Sequence, residues 1–205
     1  ATDAIVITNP LFIIVGCNAA YQHLTEKKPN QVNGQLPSFM QVLSRDDAAL
    51  AAMRETLAEQ GHWEGELLDE RESGSRYPIH LAISSVRNKR GICTHYFAVF
   101  SDLSERKQAE AQIHRLAYFD SLTNLPNRTM LFILLEQALT EARRNNLHGA
   151  ILCFNLVGFK AINDSFGHSE ADKVLIEVGQ RIRSGLRDED VASRFAADEF
   201  YIALF

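Results

Sequence analysis

The chain ends on the stretch R-F-A-A-D-E-F-Y-I-A-L-F, residues 194–205, and this stretch decides the fold of its last third. Apolar runs stand on either side of the acidic pair Asp198 and Glu199, a pattern that predicts a β-hairpin. Tight hairpin turns favour residues that adopt positive φ freely, which glycine does and alanine does not. Ala196 and Ala197 in the turn therefore predict backbone strain beside two carboxylates.

Composition and charge exclude several classes of protein. The 205 residues are 46% hydrophobic, which is enough for one large or two small cores. A formal net charge of −5 argues against the broad basic surface that nucleic-acid binding needs. No apolar run approaches the roughly 20 residues of a membrane span. The three cysteines are far apart, which favours free thiols over disulfides or metal ligands. We therefore expect a cytoplasmic protein with no nucleic-acid partner and no membrane span in this chain.

The first hundred residues predict an α+β domain. Apolar and β-branched runs predict strands at residues 4–8, 12–15, 64–68, 77–86 and 93–100. Between the second and third of these, Asn18 can cap a short helix, and helical spacing of leucines predicts another at residues 46–59. Two strands, helices and three strands make one antiparallel sheet with helices on one face.

Three segments of this region resemble PAS sensor domains: G-H-W-E-G-E-L at 61–67, R-x-x-G-S-x-Y-P at 71–78, and H-Y-F-A-V-F-S-D-L-S-E-R-K at 95–107. The resemblance implies a domain over residues 1–102 that encloses a ligand pocket and whose Asp102 leads into an output helix. It leaves the ligand unknown. Trp63 resembles a position that contacts flavin in some redox PAS domains, although a large aromatic there is more often core. His23 and His62 are weak axial candidates, which argues against haem.

Residues 103–117 predict a connector helix that Ser104 can cap. Its apolar residues form one narrow stripe on an otherwise charged surface, at Ala109, Ile113, Leu116 and Ala117. A stripe this narrow suits a seam between two helices, so we expect a homodimer through this helix. The alternative is a helix that docks on its own domain.

Residues 118–205 predict helices that back a small sheet: a helix over 130–142, a buried strand over 150–157, an amphipathic helix over 174–186 and the hairpin.

Three segments of this region resemble the GGDEF domain of diguanylate cyclases: D-S-L-T-N-L-P-N-R at 120–128, G-F-K-A-I-N-D-S-F-G-H at 158–168 and A-A-D-E-F at 196–200. The resemblance implies the N-terminal part of such a domain. Family members condense two GTP molecules into cyclic di-GMP across a dimer, with Mg²⁺ bound by carboxylates of the hairpin and the preceding strand.

Carried over residue by residue, the resemblance implies a nucleotide site at Lys160, Asn163, His168 and Asp172. An amide and a carboxylate can together match guanine O6 and its N1–H and N2–H edge. Asp172 is also placed to close an S-x-x-D capping box that begins at Ser169, and the two roles are compatible.

The implied Mg²⁺ site departs from the family pattern. Asp198 matches the metal-binding position on the hairpin, Glu199 is a second and weaker catalytic candidate, and Leu156 can offer its backbone carbonyl. Asn155 stands where the family has Asp, and Val157 replaces another Asp. Because Mg²⁺ depends on one or two carboxylates plus phosphate oxygens, we expect weak metal binding and little catalysis.

Arg187 and Asp190 form the segment R-D-E-D, at the spacing of the family's product-binding inhibitory site. Arginine can bind phosphate or guanine with two hydrogen bonds, and aspartate can accept from guanine N–H groups. A solvated charged loop is the alternative.

These observations together predict a regulator of cyclic di-GMP signalling. In it, a PAS sensor is coupled to a degenerate cyclase domain that binds GTP or cyclic di-GMP without making product. Domains that this one resembles often precede a cyclic di-GMP phosphodiesterase domain, so such a domain is a candidate downstream partner. The alternatives are an active diguanylate cyclase and a PAS-mediated dimerisation scaffold with no nucleotide role.

Overall fold

The computed structural model describes residues 3–146 and 148–205. The chain divides into two compact units, one up to Gln108 and one from Ala109. Each unit is described by itself.

The first unit is an α+β domain, as the sequence predicts. Its elements in chain order are β1 (Ala4–Thr8), β2 (Ile14–Cys17), α1 (Ala19–Thr25), α2 (Pro29–Val32), α3 (Ser38–Leu43), α4 (Asp47–Gln60), β3 (His62–Glu70), β4 (Arg76–Arg87) and β5 (Cys93–Asp102). The five strands form one antiparallel sheet in the order β2-β1-β5-β4-β3. Its core is closed by fully buried side chains, among them Tyr21, Phe39, Met53, Leu57, Ile79, Leu81, Ile83 and Phe100.

Local capping sets the boundaries of these helices. Asn18 caps α1, because its Oδ1 accepts a hydrogen bond from the backbone N–H of Tyr21 at 2.9 Å. Asp46 caps α4, because its side chain accepts hydrogen bonds from the backbone N–H groups of Ala48 and Ala49. The second strand begins two residues later than predicted. Phe12 has a φ of 60° and lies in the turn, where its ring stacks on Tyr96 with centroids 4.4 Å apart.

The helix α5 (Ser104–Tyr118) spans the segment of the predicted connector, and it crosses the division between the two units. The prediction that Ser104 caps it is wrong. Ser104 is the first helical residue, and the Oδ1 atom of Asp102 accepts a hydrogen bond from its N–H at 2.7 Å. No side chain of α5 is buried in the described structure, and Ile113 and Leu116 of the apolar stripe are 66% and 62% exposed.

The second unit continues with α6 (Arg128–Asn145), β6 (Ala150–Asn155), α7 (Phe159–Phe166), α8 (His168–Ser184), β7 (Val191–Ala196) and β8 (Glu199–Leu204). The three strands form an antiparallel sheet in the order β6-β8-β7. The amphipathic helix α8 buries Ala171 and Leu175 against Ala192 and Phe200 of the hairpin. The strand β6 ends two residues earlier than predicted, and Val157 is fully exposed beyond it.

Candidate functional site

The hairpin between β7 and β8 closes on a tight turn. Because β7 ends at Ala196 and β8 begins at Glu199, the loop contains only Ala197 and Asp198. Ala197 has a φ of 42°, whereas Ala196 is paired with Glu199 in the sheet and has no positive φ. Strain from positive φ, about 1–2 kcal/mol for an L-residue, is therefore present at one alanine and not at both.

A buried arginine holds this turn in place. Arg194 is 8% exposed, and its Nε and Nη2 atoms donate to the carbonyl oxygen of Ala197 at 2.9 and 2.6 Å. Its Nη1 atom donates to the Oδ2 atom of Asp120 at 2.9 Å. The same Oδ2 atom accepts from the N–H and hydroxyl groups of Thr123. Burial opposes the ionisation of Asp120, but these hydrogen bonds outweigh it and hold the pKa of that carboxyl below its ordinary value.

Sequence reasoning missed the role of Arg194. The signal was present, because an arginine between apolar strand residues is rarely buried without a partner. Asp120 begins the segment D-S-L-T, the first of the three motifs. Through its ion pair with Asp120 and its hydrogen bonds to Ala197, Arg194 connects this motif to the last one.

The corner between α7 and α8 carries three of the predicted nucleotide-binding residues, and two of them, Asn163 and His168, are in contact. Asn163 lies in the last turn of α7, His168 begins α8, and Asp172 follows one turn later on the same helix. The Nδ1 atom of His168 lies 3.1 Å from the Oδ1 atom of Asn163. Lys160 is exposed in the first turn of α7, three residues before Asn163.

The prediction that Asp172 closes a capping box with Ser169 is wrong. Gly167, and not Ser169, occupies the N-cap of α8, and no side chain caps that helix end. Asp172 is exposed in the second turn, so its carboxylate is not used in a capping box.

The predicted metal ligands meet at one corner of the small sheet. Asn155 ends β6 directly opposite Glu199, and the backbone N–H of Leu156 donates to the carbonyl oxygen of Asp198 at 3.3 Å. The carbonyl oxygen of Leu156 accepts one hydrogen bond, from Phe159, which leaves a second lone pair.

This set of donors fits Mg²⁺ only in part. In residues 3–146 and 148–205, no three His, Cys, Asp or Glu side chains are grouped to hold a metal ion. Asp198 and Glu199 are the two carboxylates at the corner, and Asn155 supplies a neutral amide oxygen. Such a site depends on the phosphates of a bound nucleotide to complete the oxygen shell.

The two predicted ligand-binding residues of the R-D-E-D segment differ in their exposure to solvent. Asp190 is buried, and its carboxylate accepts from the backbone N–H groups of Arg187 and Phe205, both at 3.2 Å. The Arg187 side chain is 79% exposed, with a carboxylate oxygen of Glu189 at 4.0 Å. Arg187 is therefore accessible to a ligand, while Asp190 stabilises the turn and the end of β8.

The end of the first sheet is tied to the start of α5 by another ion pair. The Nη2 atom of Arg71 lies 2.8 Å from the Oδ2 atom of Asp102, and its guanidinium lies 3.9 Å above the Tyr77 ring. Because Asp102 also accepts a hydrogen bond from the N–H of Ser104, the first residue of α5, one carboxylate connects the sheet to this helix.

Comparison with known proteins identifies both units. A family model for the PAS domain matches residues 2–105, and one for the diguanylate cyclase GGDEF domain matches residues 117–205. The chain belongs to the PAS family, and a GGDEF domain follows its PAS domain. None of the helices in the described residues is long and apolar enough to cross a membrane.

The similar proteins include two from Pseudomonas aeruginosa. The bifunctional diguanylate cyclase/cyclic di-GMP phosphodiesterase MucR is 43% identical over 97 residues, which are 47% of this chain and 14% of MucR. The cyclic di-GMP phosphodiesterase NbdA is 43% identical over 100 residues, which are 49% of this chain and 13% of NbdA. The chain therefore spans about one seventh of the length of these curated relatives.

Solved structures resemble each domain separately. The GGDEF domain of TpbB from Pseudomonas aeruginosa is 40% identical, with a TM-score of 0.41, over 42% of this chain and 51% of that one. A PAS domain from Colwellia psychrerythraea is 20% identical, with a TM-score of 0.46, over 51% of this chain and 88% of that one.

The candidate cofactor residues of the PAS domain lie in different surroundings. Trp63 packs against the core and lies over Gly65, where an added Cβ would be 2.9 Å from its ring. His62 is exposed, with its Nε2 atom 3.5 Å from Glu64. His23 is exposed beside a surface cavity of about 580 Å³.

The PAS core also contains a buried carboxylate that sequence reasoning missed. The Oδ2 atom of Asp69 accepts from the hydroxyls of Ser38 at 2.7 Å and Tyr77 at 2.9 Å, and its Oδ1 atom accepts from the backbone N–H of Glu70. Burial raises the pKa of Asp69, and these hydrogen bonds offset only part of the effect.

This raised pKa predicts a pH dependence of stability. A carboxyl whose pKa is higher in the folded state binds its proton more tightly there, so its contribution to folding falls as the pH rises through that pKa. We expect the wild-type PAS domain to lose stability relative to Asp69→Asn between about pH 4 and the raised pKa, with a constant difference above it. Urea unfolding followed by the fluorescence of Trp63, the single tryptophan, measures this. A difference between the two proteins that does not change with pH contradicts the prediction.

Proposed function

We propose that this chain joins a PAS sensor domain, residues 1–102, through a connector at 103–117 to a GGDEF domain, residues 118–205, that binds GTP or cyclic di-GMP without making product. The observation that carries the proposal is the corner where Asn155 faces Glu199. A neutral amide occupies the strand end that would supply a metal-binding carboxylate, while the nucleotide-binding corner keeps its polar side chains.

Nucleotide binding is supported by the corner between α7 and α8. Asn163 and Asp172 present an amide and a carboxylate that together match the hydrogen-bonding edge of guanine. Lys160, exposed on the face of α7 that also carries Asn163, supplies a positive charge for phosphate.

The absence of catalysis is supported by the charge at the metal corner. Activation of a 3′-hydroxyl for attack on an α-phosphate needs a well-held ion that acts as a Lewis acid. Asp198 and Glu199 can still contribute oxygens to Mg²⁺, but replacement of the strand carboxylate by Asn155 removes one negative charge. The positive φ of Ala197 strains the backbone next to Asp198, which is a second defect of the metal corner. The retained Asp198 and Glu199 favour a second candidate function, an active diguanylate cyclase.

Signalling is proposed to run through α5 in a homodimer. Ile113 and Leu116 expose an apolar stripe that a second copy of the helix would cover. The relatives MucR and NbdA are named as phosphodiesterases, so we propose that a cyclic di-GMP phosphodiesterase domain in the same full-length protein receives the signal. Both domains would act in the cytoplasm, where GTP is present.

Calorimetric titration of the full-length protein with GTP tests the nucleotide site. Wild type is expected to bind GTP, and Asp172→Ala to weaken binding about 10- to 100-fold, because a hydrogen bond to a charged group contributes roughly 1.5–3 kcal/mol. Asp164→Ala, which removes an exposed carboxylate beside Asn163, is the matched control and should not change the affinity. If neither GTP nor cyclic di-GMP binds, the protein is a dimerisation scaffold and the proposal is wrong.

A separate titration with cyclic di-GMP tests the R-D-E-D segment. We expect Arg187→Ala to remove most of the cyclic di-GMP binding with little change in stability, because its side chain is exposed. Asp190→Ala should instead destabilise the domain, since its carboxylate satisfies two backbone N–H groups. Arg181→Ala, another exposed arginine in the same domain, is the control. Unchanged cyclic di-GMP affinity in Arg187→Ala would make the segment a solvated loop.

A further inference from the structure

At the corner between α7 and α8, the imidazole of His168 contacts the side-chain amide of Asn163. Under the proposed function, this amide binds guanine. His168 Nδ1 lies 3.1 Å from Asn163 Oδ1. Gly167 makes the corner with φ 82° and ψ 166°, a conformation that is essentially restricted to glycine. The N–H of Gly167 also donates to the backbone carbonyl of Asn163 at 2.9 Å. The two side chains are therefore brought together by the backbone itself.

In the structure the Oδ1 end of the Asn163 amide faces the imidazole of His168. An amide oxygen only accepts hydrogen bonds, so a hydrogen bond in this arrangement requires the tautomer of His168 that has its proton on Nδ1. With Oδ1 turned towards the imidazole, the NH₂ group of Asn163 is turned away from it. A free asparagine amide would exchange these two ends by a rotation of 180° about its last side-chain bond.

The orientation decides which purine the site accepts. Guanine presents the acceptor O6 and the donor N1–H on the edge where adenine presents the donor N6–H₂ and the acceptor N1. An NH₂ group of Asn163 can donate to guanine O6 but meets another donor in adenine. The carboxylate of Asp172 accepts from guanine N1–H and N2–H₂, but it would face the N1 acceptor of adenine.

We propose that His168 is a positioning residue that makes the nucleotide site select guanine over adenine by holding the Asn163 amide in one orientation. The inference rests on the proposed function, because it concerns the same nucleotide site. His168 acts through Asn163 and does not need to touch the base. Its loss allows the amide to flip, so that Oδ1 can accept from adenine N6.

Titrations of the full-length protein with GTP, ATP and ITP test this role. His168→Ala is expected to weaken GTP binding about five- to tenfold, the value of one hydrogen bond, and to strengthen ATP binding. His168→Asn keeps an N–H donor close to the position of Nδ1 and should restore the preference for GTP. ITP lacks only the N2 amino group and keeps O6, so its affinity relative to GTP reports on Asp172 and should not change in His168→Ala.

A second variant tests the orientation without altering His168. Asn163→Asp places an acceptor on both ends of the side chain, so an oxygen must face the base whichever end His168 holds. We expect this variant to lose GTP affinity at least tenfold and to have a lower ratio of GTP to ATP affinity than the wild type, although Asp172 still favours guanine. Circular dichroism checks that all variants keep the helical content of the wild type.

The outcomes separate this inference from the proposed function. If wild type binds GTP and His168→Ala keeps the same ratio of GTP to ATP affinity, the positioning role is wrong and the nucleotide site stands. The same holds if Asn163→Asp keeps the wild-type ratio of GTP to ATP affinity. If wild type binds none of the three nucleotides, both the nucleotide site and the role of His168 are wrong.

Discussion

Replacement of Arg194 by alanine is expected to lower the free energy of unfolding of the GGDEF domain by about 3 kcal/mol or more. The substitution removes the two hydrogen bonds to the carbonyl oxygen of Ala197 and the ion pair with Asp120. It also leaves a largely buried carboxylate without its cation, and this penalty is what makes the effect large. The hydrogen bonds from Thr123 to Asp120 remain, which keeps the loss at the lower end of the range for broken buried pairs.

Two transitions in urea distinguish this effect from general destabilisation. Trp63, the single tryptophan, reports on the PAS domain, so its fluorescence transition should not move. The remaining change in circular dichroism reports on the GGDEF domain and should shift to lower urea. Arg181→Ala breaks an exposed pair with Glu177 and should cost less than about 1 kcal/mol. If Arg194→Ala costs no more than Arg181→Ala, the buried ion pair does not stabilise the domain.

Arg194→Lys is a sharper variant of the same experiment. A lysine keeps the positive charge beside Asp120, but one ammonium group cannot reproduce the planar fork that reaches both Asp120 and the carbonyl oxygen of Ala197. We expect an intermediate loss of stability. The difference between the lysine and alanine variants then measures the charge, and the remainder measures the anchoring of the turn.

Local patterns made most of the fold predictable. The hairpin follows from two apolar runs around a short break, and Asn18 caps α1 because its side chain accepts from an N–H three residues later. Such contacts depend on residues close in sequence. The α+β class and the connector helix follow from the same periodicities.

Contacts between distant residues could not be predicted in this way. Arg194 and Asp120 are 74 residues apart, and only the folded domain brings them together. The buried Asp69 is similar, since its partner Ser38 lies 31 residues earlier. The sequence also could not decide which alanine of the turn takes a positive φ, because that depends on an irregular strand register between Arg194 and Ala196.

Two substitutions are expected to restore cyclic di-GMP synthesis in the full-length protein, whereas the wild type is expected to make none. Asn155→Asp returns a carboxylate to the end of β6, and Ala197→Gly removes the strain of a positive φ in the turn. Neither substitution alone should give appreciable activity. Together they should give roughly 10- to 100-fold more product at saturating magnesium than either substitution alone, the range for disturbed metal sites.

The gain should exceed the product of the separate gains because the two lesions share one structural corner. Asn155 pairs with Glu199, and the N–H of Leu156 donates to the carbonyl oxygen of Asp198. A change in the conformation of the turn therefore alters the position of the end of β6. Residues in direct contact of this kind are coupled rather than additive. Asp198→Ala in the repaired protein should abolish the product and shows that the activity comes from this site.

Ala196→Gly is the matched control that the structure supplies. Ala196 lies in β7 without positive φ, so glycine there relieves no strain and should leave activity unchanged or slightly lower in every background.

Measurable wild-type product that disappears in Asp198→Ala would establish an active cyclase. If Asn155→Asp alone restores most of the activity, the turn is tolerated and the charge of the metal site is the whole defect. If the double repair is silent, the missing carboxylate at Val157 or the geometry of the dimer limits the reaction, and neither Asn155 nor Ala197 is the lesion that matters most.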